Sequence, residues 1–156
     1  MDASIANSHL EQRSWLGIKG DIDVHFSEAP IPISVSIPLT NYGKTPARRI
    51  LVEQILHASE NIVDPINYMK HPTETGGEKS WTVIFPNQVI VVQPTTGITD
   101  TLGIESVKNG RKLLYLILVI NYEDIFDQRH LTRMCAKYDP QFKAFRACQG
   151  DYDYAN

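Results

Sequence analysis

The sequence predicts an all-β domain, an antiparallel sandwich of about seven to nine short strands. Three observations predict it. Several segments alternate apolar and polar residues with a period of two. Turn-forming clusters recur about every eight to fifteen residues. No stretch in the body keeps a helical apolar period for more than one or two turns.

Taken in order, Glu11-Gln12-Arg13 reads as the last turn of a helix before the β region begins. Trp15 to Ile18 and Asp21 to Phe26 follow, the second with Ile22, Val24 and Phe26 on one face, and Gly20 between them predicts a bulge or bend. After the turn at Glu28-Ala29-Pro30, Ile33, Val35, Ile37 and Leu39 alternate with Ser34, Ser36, Pro38 and Thr40. That strand is half buried, and Pro38, which has no amide proton, makes it an edge strand or a bulged one. Asn41-Tyr42-Gly43-Lys44-Thr45-Pro46 is the best-marked turn of the chain.

In Ala47 to His57 the β-branched Ile50, Val52 and Ile55 favour a strand, while Leu51, Glu53, Gln54 and Leu56 are also compatible with a helix. Asn61 to Gly77 reads as a long loop with a short helical turn around Pro65 to Lys70. Trp81 to Phe85 and Val89 to Gln93 are strands separated by Pro86-Asn87. Ile104 to Lys108 is read as a strand that turns at Asn109-Gly110 into Lys112 to Tyr122, because an Asn-Gly pair between β-like runs is a strong hairpin signal. The run Leu113 to Ile120 is apolar on both faces and belongs at the centre of a sheet covered on both sides. Glu123 to Gln128 turns the chain, His130 to Tyr138 and Phe142 to Cys148 form the last strand pair, and residues 150–156 read as a flexible acidic tail.

With 156 residues the chain suffices for one domain with its own core. A net charge of −3 speaks against a nucleic-acid partner, which calls for a basic field. The two basic clusters, Lys44 with Arg48 and Arg49, and Lys108 with Arg111 and Lys112, are read as solvated strand edges. The longest apolar run is too short for a membrane helix, and Met1 to Leu10 lack the apolar core of a signal peptide, so the chain as written is expected to be soluble, with no membrane insertion of its own. Cys135 and Cys148 match no zinc pattern; on consecutive strands they form either a cross-strand disulfide or two buried thiols.

Gly43-Lys44-Thr45 resembles the end of a phosphate loop, but Pro38 stands where that motif needs its first glycine, and Pro46 follows where a helix should begin. Asp124, Asp127 and His130, at steps of three, are weak metal-ligand candidates without a fourth ligand nearby; on a turn the two aspartates are instead expected to bond their own backbone. Nucleophilic catalysis by Cys135 or Cys148 needs a histidine base, and among His9, His25, His57, His71 and His130 none stands in a recognised arrangement. No cofactor motif and no catalytic residue is assigned.

Arg13-Ser14-Trp15-Leu16-Gly17-Ile18, Leu39 through Ala47, Phe85-Pro86-Asn87, and Ile120 through Cys135 to Cys148 together resemble a widespread group of bacterial proteins that has no assigned activity. The group's pattern runs Asn-x-Gly-Lys-Thr-Pro-Ala, then Tyr-x-Asp-x-Phe-Gly-x-x-His-x-Thr-x-Phe-Cys; here Asp127 replaces the glycine and Met134 the aromatic. The resemblance implies an immunoglobulin-like β-sandwich over residues 13–149, often carried behind membrane helices and a helical stalk, of which residues 1–12 look like the stub. Three functions follow for testing. The first is a non-enzymatic protein-interaction module presenting an edge strand or loop residues such as Asn41, Tyr42, Lys44, Tyr122, Asp124 and His130. The second is a small-ligand or metal binder using the Glu123 to His130 loop. The third is a hydrolase with His130 or His57 beside Cys135.

Overall fold

A computed structural model describes residues 11–70, 77–150 and 152–156. Two antiparallel sheets enclose one main core. The smaller sheet contains β1 (Leu16–Ile18), β2 (Asp23–His25), β3 (Ser34–Asn41) and β6 (Val89–Val92). The larger contains β4 (Ala47–Ser59), β5 (Gly77–Ile84), β7 (Leu113–Glu123), β8 (Arg129–Asp139), β9 (Ala144–Ala147) and β10 (Tyr154–Ala155). Two short helices complete the fold, α1 (Pro65–Lys70) and α2 (Thr101–Lys108).

The period-two strand becomes β3, and its apolar set Val35, Ile37 and Leu39 is fully buried against the large sheet. β3 is interior rather than an edge: β6 pairs on one side, β1 and β2 on the other. Pro38 is tolerated because its missing amide falls where the partner strand breaks. The Lys19 amide donates to the Pro38 carbonyl (2.8 Å), and the chain then bulges through Gly20, at φ +78°, before β2 resumes pairing at Asp23 and Ser36.

β4 is a strand throughout, paired with β5 and β7, and Arg49 at φ +49° marks the irregularity between Arg48 and Leu51. β7 lies between β4 and β8. One of its faces sends Leu114, Leu116, Leu118 and Ile120 into the main core; the other sends Tyr115 and Ile117 into a second apolar layer with Ile55 and Cys135. Val63, Cys148 and Tyr152 cover that layer from outside.

The stretch expected as a strand at Ile104 to Lys108 is instead part of α2, and Asn109-Gly110 is not a hairpin turn. Asp100 caps the helix, its Oδ1 accepting the Gly103 amide at 2.7 Å, and Ile104 and Val107 bury one face. At the far end the Asn109 amide donates to the Glu105 carbonyl and the Gly110 amide to the Val107 carbonyl. Gly110 alone takes positive φ (+76°), Asn109 having φ −101°, whereas a type I′ turn needs both residues left-handed. A helix stop draws on the same glycine freedom as a hairpin, which is why the dipeptide misled.

Within the stretch read as a flexible tail, Tyr154 and Ala155 pair with Arg133 and Thr132 on β8. A disulfide joins Cys135 on β8 to Cys148 just after β9, with Cα atoms 5.4 Å apart. It closes a loop with a sequence separation of 13. Reducing it is expected to lower stability by about 2–3 kcal/mol through the entropy returned to the unfolded chain. Urea midpoints with and without reductant measure this, and equal midpoints would show that the bridge contributes nothing.

Candidate functional site

The Asn41 to Pro46 turn works as a clasp. Asn41 is fully buried, and its Oδ1 accepts the amides of Trp15 (3.0 Å) and Gly43 (2.9 Å). Its Nδ2 donates to the carbonyls of Thr45 (2.7 Å) and Ile84 (3.2 Å), so one amide ties the chain entry, the turn and the end of β5 together. Gly43 passes directly over the entering backbone: a Cβ there would meet the Arg13 carbonyl oxygen, the Ser14 Cα (2.5 Å) and the Trp15 nitrogen (2.7 Å). Tyr42 and Lys44 point outward, the Tyr42 hydroxyl donating to the Ile18 carbonyl at 2.7 Å.

The Glu123 to His130 segment is a second clasp, centred on Asp124. Its side chain is buried; Oδ1 accepts the amides of Phe126 (2.8 Å) and Gln128 (3.0 Å), and Oδ2 lies 2.8 Å from His130 Nε2. Burial by itself pushes the Asp124 carboxyl up, but the hydrogen bonds from His130, Gln128 and Phe126 outweigh it and leave the group below its ordinary value. The His130 ring stacks on Tyr122 with centroids 5.2 Å apart, and its Nδ1 lies 3.0 Å from the Asn156 carbonyl. Burial also pushes the Tyr122 hydroxyl up. Arg48 bonds the Asp124 carbonyl (2.7 Å) and Asp127 Oδ1 (2.9 Å).

This geometry does little chemistry. Both oxygens of Asp124 and both ring nitrogens of His130 are engaged within the protein, and Asp127 is turned to Arg48. Among the described residues no three histidine, cysteine, aspartate or glutamate side chains converge as a metal site. Asp127 itself has φ +57°, the left-handed conformation that glycine adopts without strain. Asp127→Gly is therefore expected to keep stability within about 0.5 kcal/mol of the parent, the relieved backbone offsetting an ion pair that is well exposed. Asp127→Val should cost about 1–2 kcal/mol. Thermal melts of both variants check this; equal losses would show that the backbone conformation is not the deciding factor.

Among the described residues no thiol–imidazole pair is assembled. The Cys135 sulfur is bonded to Cys148, and on the sheet Cys135 pairs with Ile117 whereas His57 pairs with Tyr115. Burial pushes the His57 imidazole down. His25 bonds Ser36 at 2.9 Å, and His9 and His71 lie outside the described residues. Of the basic residues, Arg48 and Arg49 pair with Asp127 and Glu123, and Lys108 and Lys112 with Glu105 and Glu60. Among the described residues no helix is long and apolar enough to cross a membrane.

Of the loop residues named from the sequence, Asn41, Tyr122, Asp124 and His130 are thus internal, and Tyr42 and Lys44 are presented to solvent. Sequence reasoning passed over two surface features. One is an apolar groove of about 590 Å³ where the sandwich opens between Gly17–Ile22 and β8, with Leu118, Ile120 and Met134 in its wall. The other is the outer face of the small sheet, where Val89 stands opposite Thr40 and Val91 opposite Pro38. Val89 is 44% and Val91 54% exposed, and Phe85 and Tyr42 nearby in the chain are more exposed still. The available signal was the lack of charge: residues 80–99 contain no Asp, Glu, Lys, Arg or His. Comparison with protein-family models, curated proteins and solved structures returned no match.

Proposed function

We propose that this chain is a non-enzymatic protein-interaction module, an immunoglobulin-like sandwich that offers the outer face of its small sheet to a protein partner. The observation that carries the reading is the contrast between its polar and apolar groups. The polar clusters that look like sites spend their hydrogen bonds on their own turns, while Tyr42, Val89 and Val91 stay exposed, the two valines on the side of the outer face away from Asp23 and His25. Interface cores are depleted of charge, and the β6 side of this face carries none. Glu11 and Gln12 are helical, which suits a chain carried on a helical stalk.

Affinity capture or cross-linking in the source cell tests the proposal. The parent chain should recover a specific protein, and a Tyr42→Ser/Val89→Ser double variant should lose it. Recovery of no specific partner by the parent, or equal recovery by the variant, would count decisively against it.

A further inference from the structure

Of the four sheet edges among the described strands, three carry charges that discourage pairing with another chain, and the fourth does not. β1 and β2 share one edge of the small sheet; each has three residues, and the bulge between them holds Lys19, Gly20 and Asp21. On the large sheet, β9 and β10 split the β8 edge into pieces of four and two residues, with Lys143 and Arg146 beside them. β5 carries Glu78 and Lys79 directly after its first residue. Charges, short strands and bulges are the usual protections of sheet edges.

β6 is as short as β9, at four residues, but it carries no charge and no bulge. Among the described strands it pairs only with β3, in unbroken register from Val89 opposite Thr40 to Val92 opposite Ile37. It lies within the twenty residues 80–99 that hold no charge, where the chain's 21% charged content would place about four. Its open hydrogen-bonding groups follow from the register. The Lys19 amide donates to the Pro38 carbonyl, so the backbone polar groups of Pro38 face β1. Val91, opposite Pro38, therefore directs its N–H and C=O away from β3, and Val89, two residues earlier, does the same.

We infer that β6 pairs with β6 of a second copy of this chain, antiparallel about a two-fold axis at Ile90. In that register Val89 meets Val91 of the second copy, and both such pairs are of the hydrogen-bonded kind, so all the outward groups of Val89 and Val91 are satisfied by one operation. The valine side chains of both copies then lie side by side on the outer face, and no like charges are brought together. A second copy is the occupant the edge fits: the register is complementary to itself, and no charge on the strand opposes self-pairing. The inference deepens the interaction reading by naming the occupant of the edge, and the two can fail separately.

Sedimentation equilibrium of the purified chain over a wide concentration series tests it. The mass should rise from 17.6 kDa towards twice that value. Val91→Lys should weaken association about tenfold or more, as an edge lysine does, without lowering the melting temperature of the dilute protein. Thr82→Lys on β5 should leave association unchanged. If circular dichroism shows Val91→Lys unfolded, Val89→Lys takes its place. Amide exchange at Val89 and Val91 should slow only at concentrations where the dimer forms. A protein that stays monomeric throughout, or that associates equally well with either lysine in place, overturns the inference. A monomer whose edge takes up a foreign extended peptide overturns it too, yet leaves the interaction reading intact. A dimer that captures no other protein does the reverse.

Discussion

Replacing Asn41 by alanine is expected to destabilise the protein by about 3–5 kcal/mol, the cost of leaving several buried polar groups unpaired at once. The side chain satisfies two amides, of Trp15 and Gly43, and two carbonyls, of Thr45 and Ile84, at a position with no solvent exposure. Alanine removes all four partners. Gly43 cannot shift to find its amide another partner, because it already lies against the backbone of Arg13 to Trp15. Asn41→Asp separates the two halves of the clasp. It keeps an acceptor for the amides but sets a second carboxylate oxygen against the Thr45 and Ile84 carbonyls, so it should cost nearly as much. Urea unfolding followed by tryptophan fluorescence measures both. A loss below about 1 kcal/mol in each variant would mean that water replaces these bonds freely and that the clasp is not structural.

That clasp also marks how far the sequence was legible. Asn41-Tyr42-Gly43-Lys44-Thr45-Pro46 was identified as a turn because its chemistry is local. What Asn41 does was not legible, since its partners Trp15 and Ile84 lie 26 and 43 residues away. The same division runs through the fold. The period of two in Ile33 to Leu39 and the doubly apolar run of β7 are legible because burial imposes them residue by residue, and Ile33, Val35, Ile37 and Leu39 are all buried. α2 was missed because it is eight residues long, includes a glycine and the β-branched Ile104 and Val107, and ends on Asn-Gly. β10 has no apolar pattern at all. It is held by Asp153, whose Oδ1 accepts the Cys135 amide, and by Asn156, whose Oδ1 accepts the Leu131 amide. Side chain–backbone bonds of that kind leave no periodic trace in a sequence.

The second large effect is expected at Asp124, where stability should depend on acid. The carboxyl is depressed in the folded protein, so its contribution is fully present above the ordinary aspartate value of about 3.9 and is lost as pH falls through the lower folded value. Protonation gives Asp124 a hydrogen to donate while the Phe126 and Gln128 amides still need an acceptor, so the turn weakens from the side facing His130. Asp124→Ala removes the acceptor outright and should cost about 2–4 kcal/mol at neutral pH, with the amides of Phe126 and Gln128 and the His130 ring left to find other partners. Asp124→Asn should be milder. Its Oδ1 can keep both amides, and its Nδ2 can donate to a neutral His130 ring whose Nδ1–H then donates to the Asn156 carbonyl. The discriminating measurement is unfolding free energy against pH, from neutral down through the carboxylate range. The parent curve should fall in that range, and the difference between parent and Asp124→Asn should shrink as pH drops, because the parent is losing a charge the variant never had. Parallel curves for the two proteins would show that the acid sensitivity of the domain arises elsewhere and that Asp124 acts only as a turn residue.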